Sequence, residues 1–305
     1  MRAVVTGGAG FIGYNLVASL RSDGSDVLVV DNLSAGDRRV PLLEQVDARL
    51  EQIDITDPSL AGVIGQYRPD VVFHLAAQID VRVSVADPVK DANINIAGTL
   101  AVLEAARAVG ARFVFTSSGG CIYGEAEEPP VDESATGRPT SPYGISKRVI
   151  ADYLHFYALT HGLRSVVLAL ANVYGPGQDP SGESGVVAMF AGRLLAGERC
   201  YIYGDGSATR DYVYVSDVVD AFKTAATLGD GELFNIGTGA ETSVSELYGL
   251  MKGITGSDLE PIFADARPGE LQRSALDARK AAKILGWAPK VPLEEGLRLT
   301  VDSFR

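Results

Sequence analysis

Cysteine is nearly absent from this chain of 305 residues: Cys121 and Cys200 are the only two. They have neither metal-binding nor disulfide spacing, so no metal is expected and a reducing compartment, the cytoplasm, is the default. Long apolar runs are missing as well, and nothing in the sequence is suited to cross a bilayer. The first residues already read as a strand, so no signal peptide is expected. Internal repeats and low-complexity tracts are absent. Positive charge is short: 27 Lys and Arg face 39 Asp and Glu, a net charge of −12. That balance argues against nucleic acid or an anionic membrane as a partner. An anionic ligand would need individual arginines aimed at it against an unfavourable overall field.

What is present is an α/β pattern with 46% apolar residues, organised around its first thirteen residues. Arg2–Thr6 reads as a short buried strand, followed by Gly7-Gly8-Ala9-Gly10-Phe11-Ile12-Gly13 and a helical run through Leu16 and Leu20. A strand feeding a glycine turn that opens a helix is a phosphate-binding device. Gly7 permits the tight turn, Gly10 has no side chain to hold a pyrophosphate off the backbone, and Gly13 lets the helix close on the strand. The second strand, Asp26–Asp31, ends in an acid about 20 residues past the glycines, where a carboxylate holds ribose hydroxyls. A carboxylate there repels a 2′-phosphate, so NAD is favoured over NADP. Arg38 and Arg39 follow in the next loop, but Asp31 stands closer.

Further along, Asn32 to Gly36 is a turn-rich loop beside the expected cofactor. Residues 46–53 form a third strand leading to Asp54-Ile55-Thr56-Asp57, where Asp54 meets an adenine amino group or either acid caps a helix. The fourth strand, Asp70–Leu75, passes into Ala76-Ala77-Gln78, small residues that leave room for a ligand. His74 lies within that buried run as a satisfied core residue or, against the odds, a catalytic one. Residues 88–110 form a long helix in which Asn95 either bonds buried backbone or reaches the catalytic region. The fifth strand, Arg112–Ser117, runs into Ser118-Gly119-Gly120-Cys121, then an acidic, proline-rich loop to residue 140. Ser141 and Pro142 then signal a helix start. Strand 165–170 leads to a rigid turn ending at Gly177. Beyond it the segments shorten, with strands near 200–203, 211–215 and 233–236 and helices near 185–196, 216–228, 243–254 and 277–285.

The chemistry concentrates at Tyr143-Gly144-Ile145-Ser146-Lys147. A phenol and an ammonium four residues apart share one helix face. A tyrosine of pKa about 10 is a poor base at neutral pH. A lysine cation and a positive nicotinamide ring both favour the phenolate. The pair therefore suits proton transfer beside a hydride acceptor, as alcohol oxidation requires. Ser118 is the natural third member, with the adjacent Ser117 competing for the role.

Taken together, Thr6–Gly13, Asp31-Asn32-Leu33-Ser34, His74–Gln78, Ser118-Gly119-Gly120, Tyr143–Lys147, Asn172-Val173-Tyr174-Gly175-Pro176 and Arg210–Val215 resemble the extended short-chain dehydrogenase/reductases. Within these, the chain is similar to the NAD-dependent epimerase/dehydratase family and most similar to its UDP-glucose 4-epimerases. The resemblance extends over essentially the whole chain, down to Leu285-Gly286-Trp287. It implies a Rossmann-type, doubly wound parallel sheet with a smaller α/β substrate-binding lobe at the C-terminal side. The expected division is 1–170 for NAD, with 211–240 returning to it, and 171–305 mainly for the UDP-sugar. NAD, tightly bound, is expected along Gly7, Gly10, Phe11, Ile12 and Gly13; Asp31, Asn32, Ser34 and Gly36; Asp54 and Ile55; Leu75, Ala76, Ala77 and Gln78; and Asn95, Ser117, Tyr143 and Lys147.

The implied reaction is reversible 4-epimerisation of a UDP-hexose through a 4-keto sugar. Tyr143 is the proton acceptor, Ser118 takes the Ser/Thr position and Lys147 tunes the phenol. Asn172, Arg210 and Arg267 are implied at the diphosphate, Tyr203 at the uracil, and Ser118, Gly119, Gly120, Gly185, Val186, Tyr201 and Ser274 around the rest of the substrate. A homodimer through the helices at 88–110 and 141–162, packed as a four-helix bundle, also follows from the resemblance.

Three departures bear on the substrate. Ala169-Leu170 replaces a usual Arg-Tyr. Ser274 is small at a position that gates the sugar pocket. Gly185 offers only backbone. UDP-glucuronate and UDP-N-acetylhexosamine are thus alternatives to UDP-glucose and UDP-galactose, with Arg193 a carboxylate partner or simply a solvated surface residue. A sugar-nucleotide dehydratase is disfavoured because Gly119 and Gly120 stand where an Asp-Glu pair is expected. A non-catalytic NAD sensor would have no use for Ser118, Tyr143 and Lys147 together.

Overall fold

In the computed structural model, residues 1–125, 128–180, 185–267 and 271–305 are described. Part of the acidic loop, residues 126 and 127, lies outside them. The N-terminal half alternates strand and helix: β1 (Arg2–Thr6), α1 (Phe11–Ser22), β2 (Asp26–Asp31), α2 (Val40–Gln45), β3 (Arg49–Gln52), α3 (Leu60–Tyr67) and β4 (Val71–His74). It continues through α4 (Val81–Ala86), α5 (Pro88–Ala92), a π-helical turn (Asn93–Gly98), α6 (Thr99–Ala108), β5 (Arg112–Ser118), α7 (Gly119–Ile122), α8 (Pro142–His161) and β6 (Ser165–Leu170). Beyond lie β7 (Asn172–Tyr174), α9 (Val186–Leu195), β8 (Tyr201–Tyr203), β9 (Thr209–Arg210), β10 (Tyr212–Tyr214), α10 (Val215–Ala225) and β11 (Glu232–Ile236). The chain closes with β12 (Thr242–Ser243), α11 (Val244–Thr255), β13 (Ile262–Ala264), α12 (Arg279–Leu285) and α13 (Leu293–Asp302).

Seven strands form one parallel sheet in the order β11-β6-β5-β4-β1-β2-β3. Strands β1, β2, β4 and β6 are apolar almost throughout because both faces of the sheet are covered. Val5, Val29 and Phe73 belong to the core under α1 and α10, while Val4, Val72 and Phe113 belong to the core under α3, α6 and α8. A third core holds the C-terminal lobe, where Phe190, Leu247, Met251 and Leu297 bring α9, α11 and α13 together. Strand β11 extends the sheet although it comes late in the chain, and α10 shares the first core through Val218 and Phe222. No helix among the described residues is long and apolar enough to cross a membrane.

The expected helix at 88–110 is realised as a continuous run from Pro88 to Ala108, but its middle turn widens to π geometry at Asn93–Gly98. Such turns are frequent at functional sites. Helices α2, α3, α4, α7 and α13 are additional to what the sequence pattern signals. Segment 81–86 is the instructive one: Val81, Val83 and Val85 alternate as in a strand. The Asp80 carboxylate nevertheless accepts the Arg82 and Val83 amides at 2.8 and 3.3 Å and caps a helix.

Candidate active site

From β1 the chain steps to β2 and β3 on one side and then crosses to β4 on the other, so the carboxyl ends of β1 and β4 flank a topological switch point. That is where an open parallel sheet binds its ligand. Backbone packing there leaves no space for side chains. Gly7 has φ +72°, and a Cβ on it would lie 2.7 Å from the Ala76 nitrogen. A Cβ on Gly13 would lie 2.1 Å from the Gly7 oxygen. Gly10 caps the N-terminus of α1 without a side chain, leaving first-turn amides for an anion. The Asp31 carboxylate accepts the Ala9 amide at 2.9 Å and the Leu33 amide at 2.8 Å, locking the end of β2 onto the glycine turn. Its remaining lone pairs are available to hydroxyls. Asn32 donates to Asp54 at 2.6 Å, and Asp54 closes a turn on Thr56. Neither Asp54 nor Asp57 caps a helix, because α3 begins only at Leu60 with Ser59 as its N-cap. Gly36 adopts φ +95°, closing the loop that contains Ser34.

The two arginines after Asp31 are engaged elsewhere. Arg39 is buried and donates to the Ala9 carbonyl at 3.0 Å and to the Gly177 carbonyl, and Arg38 pairs with Asp179 at 2.9 Å. Burial lowers the Arg39 pKa from its ordinary value. These contacts tie the glycine turn to the loop after β7, a structural use of the two cations.

His74 is a core residue. Its Nδ1 lies 2.7 Å from the Thr6 hydroxyl, its Nε2 lies 2.9 Å from the Thr99 hydroxyl, and its ring stacks on Phe115. Burial, reinforced by the Lys147 charge, depresses its pKa to about 3, so the ring is neutral. Asn95 resolves similarly. Its amide accepts the Gln78 N–H at 2.9 Å and donates to the Gln78 carbonyl at 2.9 Å, fixing the loop after β4 against the π turn.

Helix α8 presents the reactive pair. Ser141 caps it, accepting the Gly144 amide at 3.1 Å, and Pro142 fills its first turn. Gly144 is required where α8 meets α7, since a Cβ would stand 2.6 Å from the Cys121 carbonyl. The Lys147 ammonium is buried, donates to the Thr116 carbonyl at 2.9 Å, and lies 5.8 Å from the centre of the Tyr143 ring and 4.8 Å from that of Phe115. Burial lowers its pKa to about 8, opposed first by Asp91 and then by Cys121. A shift of that size corresponds to about 3 kcal/mol, and it still leaves the amine charged at neutral pH. Burial raises the pKa of the Tyr143 phenol, holding it protonated, and the nearby Ser118 hydroxyl opposes that rise. Ser117 instead turns its hydroxyl to the Lys147 carbonyl at 3.4 Å, which leaves Ser118 as the serine beside the phenol.

Residues from the second half of the chain converge on this pair. Asn172 opens β7 and Arg210 ends β9; the Ser118 hydroxyl and the charges of Arg210 and Lys147 temper the rise that burial imposes on the Cys121 thiol pKa. A Cβ on Gly120 would lie 3.7 Å from Ser274 Oγ and 4.0 Å from Asn172 Oδ1, so these three residues lie together. Gly119 differs from expectation: it is buried, and a Cβ there would strike the Leu276 side chain at 2.3 Å, so its bare face packs on protein. Gly185 caps α9 just before Val186, with Gln178 filling its side-chain space. Farther out, Arg267 stacks its guanidinium 3.7 Å above the Tyr203 ring. Tyr201 is exposed beside Arg193, which pairs with Glu198 at 3.8 Å and bonds the Arg199 carbonyl at 3.1 Å. Arg193 is therefore a surface residue.

Two acids at the site escaped the sequence reading. Asp211 is buried and accepts the Thr238, Gly239 and Leu276 amides at 2.9, 3.0 and 3.2 Å, anchoring the loops behind Arg210. Asp91 is buried one helical turn before Asn95. That i, i+4 pair on an otherwise apolar helix face was the available signal.

Comparison with known proteins agrees with this geometry. The model of the "NAD dependent epimerase/dehydratase family" matches residues 3–237. A UDP-glucose 4-epimerase from Mycolicibacterium smegmatis is 47% identical over 309 residues, covering 100% of this chain and 99% of the relative. The crystal structure of the Thermotoga maritima UDP-glucose 4-epimerase with UDP-glucose superposes with a TM-score of 0.96 at 49% identity, covering 100% of this chain and 98% of the other. The Thermus thermophilus UDP-glucose 4-epimerase in complex with NAD gives 0.92 at 42%, with 100% and 99% covered.

The His74 environment sets a pH dependence. Between pH 6.5 and about 3 the unfolded chain binds a proton that the folded chain refuses, so stability from this group falls as pH falls through that window. His74→Gln removes the titration. Chemical unfolding across pH 4 to 7 should show the wild type losing stability relative to the variant towards acid. Parallel curves would mean that His74 is not held neutral.

Proposed function

Because the chain belongs to the NAD-dependent epimerase/dehydratase family, we propose that it catalyses reversible 4-epimerisation of a UDP-hexose, UDP-glucose to UDP-galactose, using tightly bound NAD. The observation that carries this reading is the Ser118–Tyr143–Lys147 set at the carboxyl edge of a switch-point crevice whose glycine turn and Asp31 suit a dinucleotide. The described residues fit NAD: close backbone at Gly7 and Gly13, first-turn amides of α1 after the bare Gly10 cap, and a carboxylate at Asp31. When bound, NAD supplies a reversible hydride acceptor at sugar C4 and a positive ring beside the phenol.

The chain's own residues then divide the work. Tyr143 takes the proton of the 4-hydroxyl and returns it, and Ser118 shares that proton's hydrogen bond. Lys147 carries a positive charge within 5.8 Å of the phenol ring and favours the phenolate. Asn172, Arg210 and Arg267 hold the diphosphate, for which guanidinium forks are well shaped. Tyr203 packs on the uracil. The 4-keto sugar turns about its diphosphate link in the space bordered by Gly120, Ser274 and Asn172 and presents its other face for reduction. That same space favours a second reading, a UDP-N-acetylhexosamine, because Ser274 puts only a hydroxymethyl group opposite Gly120.

The two lobes follow from this division: residues 1–170, with 211–240 returning, hold NAD, and 171–305 mainly hold the UDP-sugar. The reading is supported by β11 joining the large sheet and by the separate third core. A homodimer is supported by apolar side chains on α5 and α8: Val89 is 68% exposed, Ile145 49%, Phe156 49% and Leu159 75%. Covering such exposed apolar side chains on two adjacent helices is what an interface between two copies would do. Both cysteines carry free thiols, in keeping with a cytoplasmic setting.

Tyr143→Phe should reduce turnover of UDP-glucose by about 10²-fold or more while NAD remains bound, since the hydroxyl moves a proton and supports no packing. NMR assays over UDP-glucose, UDP-galactose, UDP-glucuronate and UDP-N-acetylglucosamine check this and fix the sugar. Activity above about a tenth of wild type would remove Tyr143 from proton transfer. For the dimer, Leu159→Glu should shift the mass measured by light scattering to that of one chain, and an unchanged mass would place the interface elsewhere.

A further inference from the structure

Asp91 is 1% exposed, and the reaction as derived above gives it no part. Its Oδ1 accepts Asn95 Nδ2 at 2.8 Å and Gln78 Nε2 at 3.3 Å, and its Oδ2 accepts the Ser146 hydroxyl at 2.7 Å. These three donors are neutral and come from three segments. Gln78 lies in the loop after β4, Asn95 in the π turn, and Ser146 on α8 between Tyr143 and Lys147. A buried carboxylate held by neutral donors alone is expensive, and it becomes tolerable with a cation in its field. Lys147 follows Ser146 and is that cation: Asp91 favours its charged form more than any other group does.

We propose that Asp91 is a positioning residue for the tyrosine–lysine pair: its carboxylate ties the Gln78 loop, the Asn95 turn and α8 into one unit and presents negative charge to the Lys147 ammonium. The inference rests on the epimerase reading of the site. The groups facing Lys147 are Asp91 from α5, neutral His74 from β4, the Cys121 thiol from α7 and the Tyr143 phenol on its own helix, with the Thr116 carbonyl and Phe115 ring from β5. Cys121 has its thiol pKa raised by burial and is protonated at neutral pH. Asp91 therefore supplies the charge that offsets desolvation of the amine. Without it, the ammonium gives up its proton at lower pH.

The test uses the NAD-loaded enzyme with Asp91→Asn and, separately, Ser146→Ala. Asp91→Asn should lower kcat about 10-fold or more, leave KM for the UDP-sugar within about twofold, and move the alkaline limb of kcat to lower pH by about half a unit or more. Ser146→Ala cuts the tie to α8 but keeps the charge, so kcat should fall with the alkaline limb in place. Hydrogen exchange should quicken at residues 76–80, 91–98 and 143–150 in Asp91→Asn, at 143–150 in Ser146→Ala, and stay unchanged elsewhere. An unmoved alkaline limb in Asp91→Asn, or exchange that quickens nowhere or everywhere, overturns the proposal. If Asp91→Asn fails to fold, the exchange pattern of Ser146→Ala decides. A wild type without epimerase activity would refute the function reading alone, and the exchange comparison, which needs no turnover, would still decide the role of Asp91.

Discussion

The structure depends on one close approach of backbone to backbone. At the switch point the turn after β1 runs against the residues after β4 so tightly that Gly7 has no room for a Cβ, and α1 closes on that turn only because Gly13 has none. Asp31 then fixes the end of β2 to the same turn through the Ala9 amide. Three strand ends are thus brought together by bare backbone and one carboxylate, and the first-turn amides of α1 after Gly10 are left for an anion. Side chains at these positions would cost overpacking of about 1–3 kcal/mol and would also fill the place where a pyrophosphate must lie.

A second constraint follows from placing a cation in the interior. Lys147 must be charged to act on Tyr143, yet burial alone would neutralise it. The protein answers with a carbonyl from Thr116 and the field of Asp91, and the amine remains an ammonium at neutral pH with a pKa of about 8. His74, inside the same layer, shows the opposite outcome. It has only hydroxyl partners and Lys147 repels its proton, so it stays neutral. The difference lies in the neighbours, since both groups are buried to a similar degree.

Much of this could be read from residue order. The glycine turn, Asp31, the strand ends and the Tyr143–Lys147 pair lie within local segments, where spacing fixes geometry. At 81–86 the valine alternation gives no helical signal, and a single capping aspartate outweighs β-propensity on this exposed segment. The choice between Ser117 and Ser118 needed the structure, because alternate residues of β5 point to opposite faces and only contact with α8 shows which hydroxyl turns to the phenol. The partners of Asp91, Asp211 and Arg39 across the fold were not legible: Asp91 bonds Ser146, Asp211 bonds Leu276 and Arg39 bonds Gly177, and although the local Asp91–Asn95 spacing marks a polar pair, no local pattern records these distant pairings.

Epimerisation at this site needs an oxidant that stays in the protein and is regenerated in each cycle. The decisive measurement is to free the purified protein of loose coenzyme, add UDP-glucose alone, and follow both sugar nucleotides by NMR. An equilibrium mixture of UDP-glucose and UDP-galactose should form with no coenzyme added and none consumed. Conversion only in step with added NAD, or purified protein that holds no dinucleotide, would contradict it.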